Sequence, residues 1–405
     1  MKKIVFILML LLSMIASSKE VKIKIEDIVK KVSTENFLVL ENAQRVYQKK
    51  EIIKFSRGSL LPKLNLWTLL KIPAVFADPL SIGDIIQDVA PFLVPANWFK
   101  LSQSKNLYKA QKEQYRALWA NELSTAKLLF MGVYGDQLLS DLITQKIVKY
   151  KEILEIAKSQ NIFGRGNIFA YNLIKNRYLA LLEDSRHLRN LLYSEKKELQ
   201  FLTGIRSEDD ISLSKPFLPE PGDSFEIESD KIIFKAIDSS PEIYQYQHLL
   251  NSLSQVKGQI NYSILGVSTY SSVDNIFDHI PIQDGMGFGM GASVRIAKSE
   301  RRILKNQLKA TSEIIKRQVL VLVNEYNSLI ENDRTTKERL FLAKENYQIM
   351  MGHIAIGGNL EVMEMIEILD NFYTAKVLMM SYKIRFSSLV EKLMRVTFSG
   401  DYTQG

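Results

Sequence analysis

Four carboxylates at steps of three, Glu361, Glu364, Glu367 and Asp370, are the residues whose type and spacing most resemble a chemical constellation. Adjacent members of such a run are neighbours on a helix, where like charges repel. A helix N-terminus nearby would offset part of that repulsion. The run reads either as a solvated acidic face or, gathered around an axis, as a negative potential that favours cations. Other chemistry is sparse. The chain has no cysteine, which excludes disulfides and thiolate sites. Its four histidines, His187, His248, His279 and His353, are far apart and none lies in HExxH spacing, so a histidine-built metal site is not expected. Gly287-Phe-Gly289-Met-Gly-Ala292 fits a loose GxGxxA, but no βαβ unit surrounds it. Met363, Met365, Met379 and Met380 could be soft-metal ligands, yet read better as core filler. No acid–base pair, nucleophile triad or phosphate loop stands out. The expectation is a non-enzyme without cofactor or metal.

The elements that must position the carboxylates follow from the prolines. All ten lie between Pro62 and Pro281, leaving 96–215 and 282–405 free of them. Each gap can therefore hold long helices. In the first, Leu139, Ile143, Ile147, Tyr150, Leu154 and Ala157 form a helical stripe close to a coiled-coil seam, within a helix predicted at 104–160. Asn161 to Asn167 interrupts it with two glycines, and Ile174, Tyr178, Leu181, Ser185, Leu188 and Leu192 carry a second helix over 168–202. The second gap repeats the plan. Ile315, Val319, Leu322, Tyr326 and Ile330 lie on a helix predicted at 297–354, and Gly357-Gly358 separates it from another at 360–396. Shorter helices are predicted ahead of each pair, at 25–55 and 231–257. Asn176-Arg-Tyr-Leu-Ala180 aligns with Asn371-Phe-Tyr-Thr-Ala375 at an offset near 195, so the chain reads as an internal duplication. The divisions are a signal peptide at 1–18, a first repeat at 19–204, a linker at 205–230, a second repeat at 231–400 and a short tail at 401–405.

The leader has Lys2 and Lys3 before an apolar run from Ile4 to Ile15, then Ala16-Ser17-Ser18, which is the pattern of a cleaved export signal. The net charge of +8 could suit nucleic acid, but export argues against that partner. Between the helices, Met286, Phe288, Met290, Ala292, Val294 and Ile296 alternate with glycine, serine and arginine over 285–296. Period-two alternation predicts a strand with a lipid-facing apolar side. It would pair with 260–272, and 61–70 with 92–101 would form the equivalent pair in the first half. Four strands cannot close a barrel, so several copies must contribute, and three would supply twelve.

Ser240-Pro-Glu-Ile243 opens the second repeat, and Leu60-Leu-Pro-Lys-Leu-Asn-Leu66 marks the first strand. Leu199-Gln-Phe-Leu-Thr-Gly204 closes the first repeat, and Phe372-Tyr-Thr-Ala-Lys376 lies on the last helix. In this order and duplication the chain resembles the TolC family of outer-membrane efflux and secretion channels. The resemblance implies a mainly α protomer with membrane β-strands, in a homotrimer with a twelve-stranded barrel and a periplasmic α-barrel closed at its far end. It implies an exit duct in the outer membrane that docks to a periplasmic adaptor and an inner-membrane pump. Glu364 and Glu367 fall where the family's best-known members place two inward aspartates near the constriction, with Glu361 and Asp370 beside them. The family's tyrosine, arginine and aspartate latch matches Ala355, Leu360 and Ala170, so closure would rest on apolar packing by Ile356, Leu360 and Met363. The adaptor-docking tips match Phe163, Gly164 and Arg165 in one half and Gly357, Gly358 and Asn359 in the other. The competing reading is an exported coiled-coil structural or adaptor protein without a pore, which would have no use for the strand at 285–296.

Overall fold

Helix caps divide the short helices of both halves at equivalent places. In the first half the Asn36 side chain accepts from Val39 N at 3.0 Å, ending α1 (Asp27–Glu35) and starting α2 (Phe37–Gly58). In the second, Ser240 Oγ accepts from Ile243 N at 3.3 Å, and Pro241 occupies the first turn that follows. This separates α5 (Ser229–Ser239) from α6 (Pro241–Tyr262). The single short helices expected at 25–55 and 231–257 are thus two helices each, because an N-cap side chain satisfies the new terminus. The computed structural model describes residues 20–62, 90–162, 168–263, 276–283, 287–356 and 361–404.

The long helices are α3 (Pro95–Ile162), α4 (Ile168–Leu202), α7 (Met290–Ala355) and α8 (Val362–Val396). At 1.5 Å per residue, α3 and α7 are each about 100 Å long. The duplication is visible in the lengths. Both α2 and α6 have 22 residues, both α4 and α8 have 35, and α3 and α7 have 68 and 66. The C-termini of α4 and α8 also match. Ile205 N bonds Gln200 O at 2.9 Å around Gly204 at φ +65°, and Ser399 N bonds Met394 O at 2.9 Å around Phe398 at φ +46°. At Gly204 an added Cβ would stand 2.6 Å from the Glu35 carbonyl oxygen, so glycine is required there.

α3 packs against α2, α4, α6 and α8, and α7 against α5, α6 and α8. Four apolar clusters fill the spaces between the helices. One, around Trp119, Leu123, Phe130, Leu199 and Tyr402, also takes in Ile23 and Ile211. Those two belong to β1 (Glu20–Ile23) and β2 (Asp210–Leu213), a parallel pair with Glu20 opposite Asp210 and Ile23 opposite Leu213. This small sheet was not legible in the sequence, since its strands are short and distant in the chain. Among the described residues, no helix is long and apolar enough to cross a membrane.

Two expected strands are corrected. Residues 92–101 form a 3-10 turn (Pro91–Leu93) and the start of α3, where Pro95 occupies the first helical turn. Residues 287–289 form a turn, and Met290, Ala292, Val294 and Ile296 lie in the first turns of α7. Met290, Val294 and Ala297 recur at helical spacing and pack on Ala110, Leu249, Leu253 and Phe277, whereas Phe288 and Ile296 are exposed. The apparent period of two came from the interleaved glycines, which add no side chain to either face. The strand expected at 260–272 is likewise helical at its start, since α6 runs to Tyr262. The leader, residues 63–70, 264–272 and 284–286, and with them Met286, lie outside the described residues.

Candidate functional site

The first turns of α8 separate the four carboxylates. Glu361, Glu364 and Glu367 are exposed, while Val362, Met365, Ile366 and Leu369 turn inward. At 100° per residue a step of three falls 60° short of a full turn, so nine residues bring Asp370 to the opposite side of the helix from Glu361. Asp370 is therefore not a fourth member of the exposed row.

It is an anchor instead. Its carboxylate accepts from Tyr150 Oη at 2.6 Å and pairs with Lys146 Nζ at 2.8 Å, both on α3. Arg177 of α4 pairs with its other oxygen. Three long helices from both halves of the chain thus meet at one carboxylate. Lys146 and Tyr150 are four apart on α3, and the ammonium lies 5.5 Å from the Tyr150 ring centre. Tyr150 is almost wholly buried, and that burial, with the bond to Asp370, pushes its phenol up, so it remains a neutral donor. Sequence reasoning placed Tyr150 on the apolar stripe of its helix and missed its hydroxyl. The only available signal was a tyrosine on a coiled-coil seam, facing a helix that carries acids.

The anchor sits in an apolar cluster built from Ile153, Ala157, Ile174, Met350, Met365 and Phe372 among others. Phe372 stacks on Tyr347 of α7 at 4.3 Å with ring planes 8° apart, and Lys376 covers its ring at 4.6 Å. Ala170, expected at a latch position, is buried in the same cluster; Ala355 is exposed at the end of α7. Of the apolar gate candidates, Ile356 and Met363 are exposed. Leu360 and the tip residues Phe163, Gly164, Arg165, Gly357, Gly358 and Asn359 lie outside the described residues.

A second set of charged contacts joins the halves near the other end of α8. Arg395 pairs with Glu242 of α6 at 2.6 Å and donates to Asn121 of α3 at 2.8 Å. Burial pushes Glu242 up, but the Arg395 guanidinium outweighs it and holds the carboxyl below its ordinary value. Lys127 of α3, itself buried, pairs with Glu391 at 3.0 Å and Asp401 at 2.7 Å. Among the described residues, no group of three or more histidine, cysteine or acidic side chains could hold a metal ion.

No family model and no curated protein matches the sequence. Solved structures do match over almost the whole chain. The outer-membrane channel OprN aligns with a TM-score of 0.69 at 11% identity, covering 93% of this chain and 90% of its own. CusC aligns at 0.68 and 10%, covering 95% and 94%. The Campylobacter jejuni CmeC outer-membrane channel aligns at 0.68 and 12%, covering 94% and 88%. The chain thus has the fold of TolC-family channels, internally duplicated and dominated by long helices.

Proposed function

We propose that this protein is an outer-membrane exit duct, whose subunits assemble as a trimer around a helical tunnel and pass solutes without chemical reaction. The observation that carries the reading is the whole-chain likeness to channel structures in a protomer that is itself a duplicated pair of helices about 100 Å long. The connections from α2 to α3 and from α6 to α7 precede the starts of α3 and α7, which lie at one end of the rod. Phe99, near the start of α3, stacks on Tyr262 at the end of α6 with centroids 5.4 Å apart, and Met290 packs into the same region. These connections are the parts of the chain to which the reading assigns membrane insertion.

The opposite end carries the gate in this reading. Glu364 and Glu367, with Glu361, would face the axis, and three copies would gather them into a ring that favours cations. Asp370, held by Lys146, Tyr150 and Arg177, fixes α8 against α3 and α4, which sets the position of that row. Ile356, Leu360 and Met363 would close the tunnel by apolar contact. The helical tips at 163–165 and 357–359 would receive a periplasmic adaptor linked to an inner-membrane pump, in an efflux or type I secretion assembly.

The test is the detergent-corrected mass of the protein extracted from isolated outer membranes, followed by conductance in planar bilayers. An elongated particle of three chains with cation-selective conductance supports the duct. A monomer in the soluble periplasm refutes it and leaves the exported coiled-coil reading in front.

A further inference from the structure

Basic residues are unevenly spread along the two longest helices. The first twenty residues of α7, 290–309, carry six basic side chains and one acidic, whereas 310–355 carry six of each. In α3, 95–114 carry four and one, and 115–162 carry six and five. The last twenty residues of α2, 39–58, carry five and two. These stretches lie side by side. Asn36, at the start of α2, bonds Glu122 at 3.1 Å, while Lys49 lines a cavity with Leu107 and Gln111, so α2 runs toward the start of α3. Ala297 and Leu304 of α7 share an apolar cluster with Leu107 and Ala110 of α3. The combined positive excess of the three stretches exceeds the +8 of the whole chain, so the rest of the protein is net acidic.

On α7 the cations form a face. Arg295, Lys298, Arg302 and Lys305 recur at steps of three and four, and all are exposed. They centre about 120° around the helix from Met290, Ala297 and Leu304, which pack inward. Ile296 and Ile303, both exposed, lie about 110° away on the other flank. In the trimer reading a second copy covers that apolar flank, which leaves the basic flank in solvent. Among the described residues none of the four cations stands in an ion pair; the one acid of the stretch, Glu300, faces His279 at 3.4 Å. Side chains on a helix lean toward its N-terminus, so those at the starts of α3 and α7 point to the end where the connections run.

Beyond the cations, at that same end, the exposed side chains are apolar. Leu61 follows α2, Phe92, Leu93 and Trp98 surround the start of α3, Tyr262 ends α6 and Phe288 precedes α7, each between 45% and 109% exposed. The Trp98 ring is held in place, its Nε1 donating to Phe92 O at 2.7 Å. Apolar and aromatic groups outermost, then cations, is the order of an acyl boundary followed by its phosphates. Cations alone would fit any polyanion; the apolar crown beyond them fits a leaflet. Resting on the insertion reading above, we infer that this end of the rod is a collar that binds the headgroups of anionic phospholipids in preference to zwitterionic ones. The crown seats in the interface, and the basic faces of α7 and of the neighbouring ends of α2 and α3 hold the phosphates.

The test reconstitutes the full chain into phosphatidylcholine vesicles, with and without phosphatidylglycerol, and compares how strongly spin-labelled forms of the two lipids associate with the protein. The wild type should favour phosphatidylglycerol about threefold or more at low salt, and the preference should fall toward one in about 1 M salt. Arg295→Gln, Lys298→Gln, Arg302→Gln and Lys305→Gln combined should abolish the preference; all four side chains are exposed, so folding is spared. The equally exposed set Arg317→Gln, Arg334→Gln, Arg339→Gln and Lys344→Gln, farther along α7, should keep it. Equal association of both lipids in the inserted wild type, or the same loss in both variants, overturns the collar and leaves the duct standing. Polyglutamate binding through the first four residues, with no lipid preference, assigns the face to an acidic partner and overturns the lipid assignment. A chain that binds only phosphatidylglycerol vesicles and is released by salt keeps the collar and removes insertion; one that binds neither vesicle overturns both.

Discussion

Replacing Asp370 with alanine should unfasten the distal ends of α3, α4 and α8 from one another. The variant strands the Tyr150 hydroxyl, which is buried and has the Asp370 carboxylate as its acceptor at 2.6 Å. An unsatisfied buried hydroxyl costs about 1–3 kcal/mol. Lys146 and Arg177 lose their partner too, but both are partly exposed and can rehydrate, so each adds only about 0.5 kcal/mol. The sum is about 3 kcal/mol, or roughly a 150-fold increase in locally opened molecules. Hydrogen exchange of peptides covering 143–157, 170–181 and 362–373 reads that population directly. Asp370→Asn keeps an acceptor for Tyr150 and should cost only about 1 kcal/mol. Adding Tyr150→Phe to the alanine variant should recover part of the protection, because the stranded hydroxyl is then gone. Exchange in Asp370→Ala within threefold of wild type would refute the anchor. Failure of Tyr150→Phe to restore anything would move the energy from the hydroxyl to the ion pairs.

Replacing Glu364 and Glu367 together with alanine should lower the cation preference of planar-bilayer conductance, and unchanged selectivity would remove them from any constriction. The Glu242–Arg395 contact should make the protein acid-sensitive. A carboxyl held below its ordinary value of 4.5 adds stability above that pH and loses it as the pH falls through the depressed value. Arg395→Met should cost about 3 kcal/mol at neutral pH and flatten the acid limb of a thermal-melting profile; an unaltered limb would assign the acid sensitivity elsewhere. Gly204→Ala forces a Cβ against the Glu35 backbone at φ +65° and should cost about 2 kcal/mol or more in urea unfolding; a loss below about 0.5 kcal/mol would show that the α4 terminus relaxes freely.

Much of the rod was legible in the sequence because helices are decided locally. The proline-free stretches, the stripes through Tyr150, Ile174 and Val319, and the turn at Gly204 all report interactions within a few residues. The duplication was legible for the same reason, since the same local pattern occurs twice. The angular position of Asp370 was also present in principle, because steps of three drift by 60° and carry the ninth residue to the far side of the helix. What it meets there was not. Tyr150 and Arg177 are 220 and 193 residues away, and only the packing of α3, α4 and α8 brings them to one carboxylate. The stretch at 290–296 was decided the same way. Apolar residues interleaved with small ones over so short a run satisfy both a strand and a helix, and the contacts of Met290, Val294 and Ala297 with α6 select the helix. The parallel pairing of Glu20–Ile23 with Asp210–Leu213 is likewise tertiary, because four residues carry too little pattern to name a partner so distant in the chain.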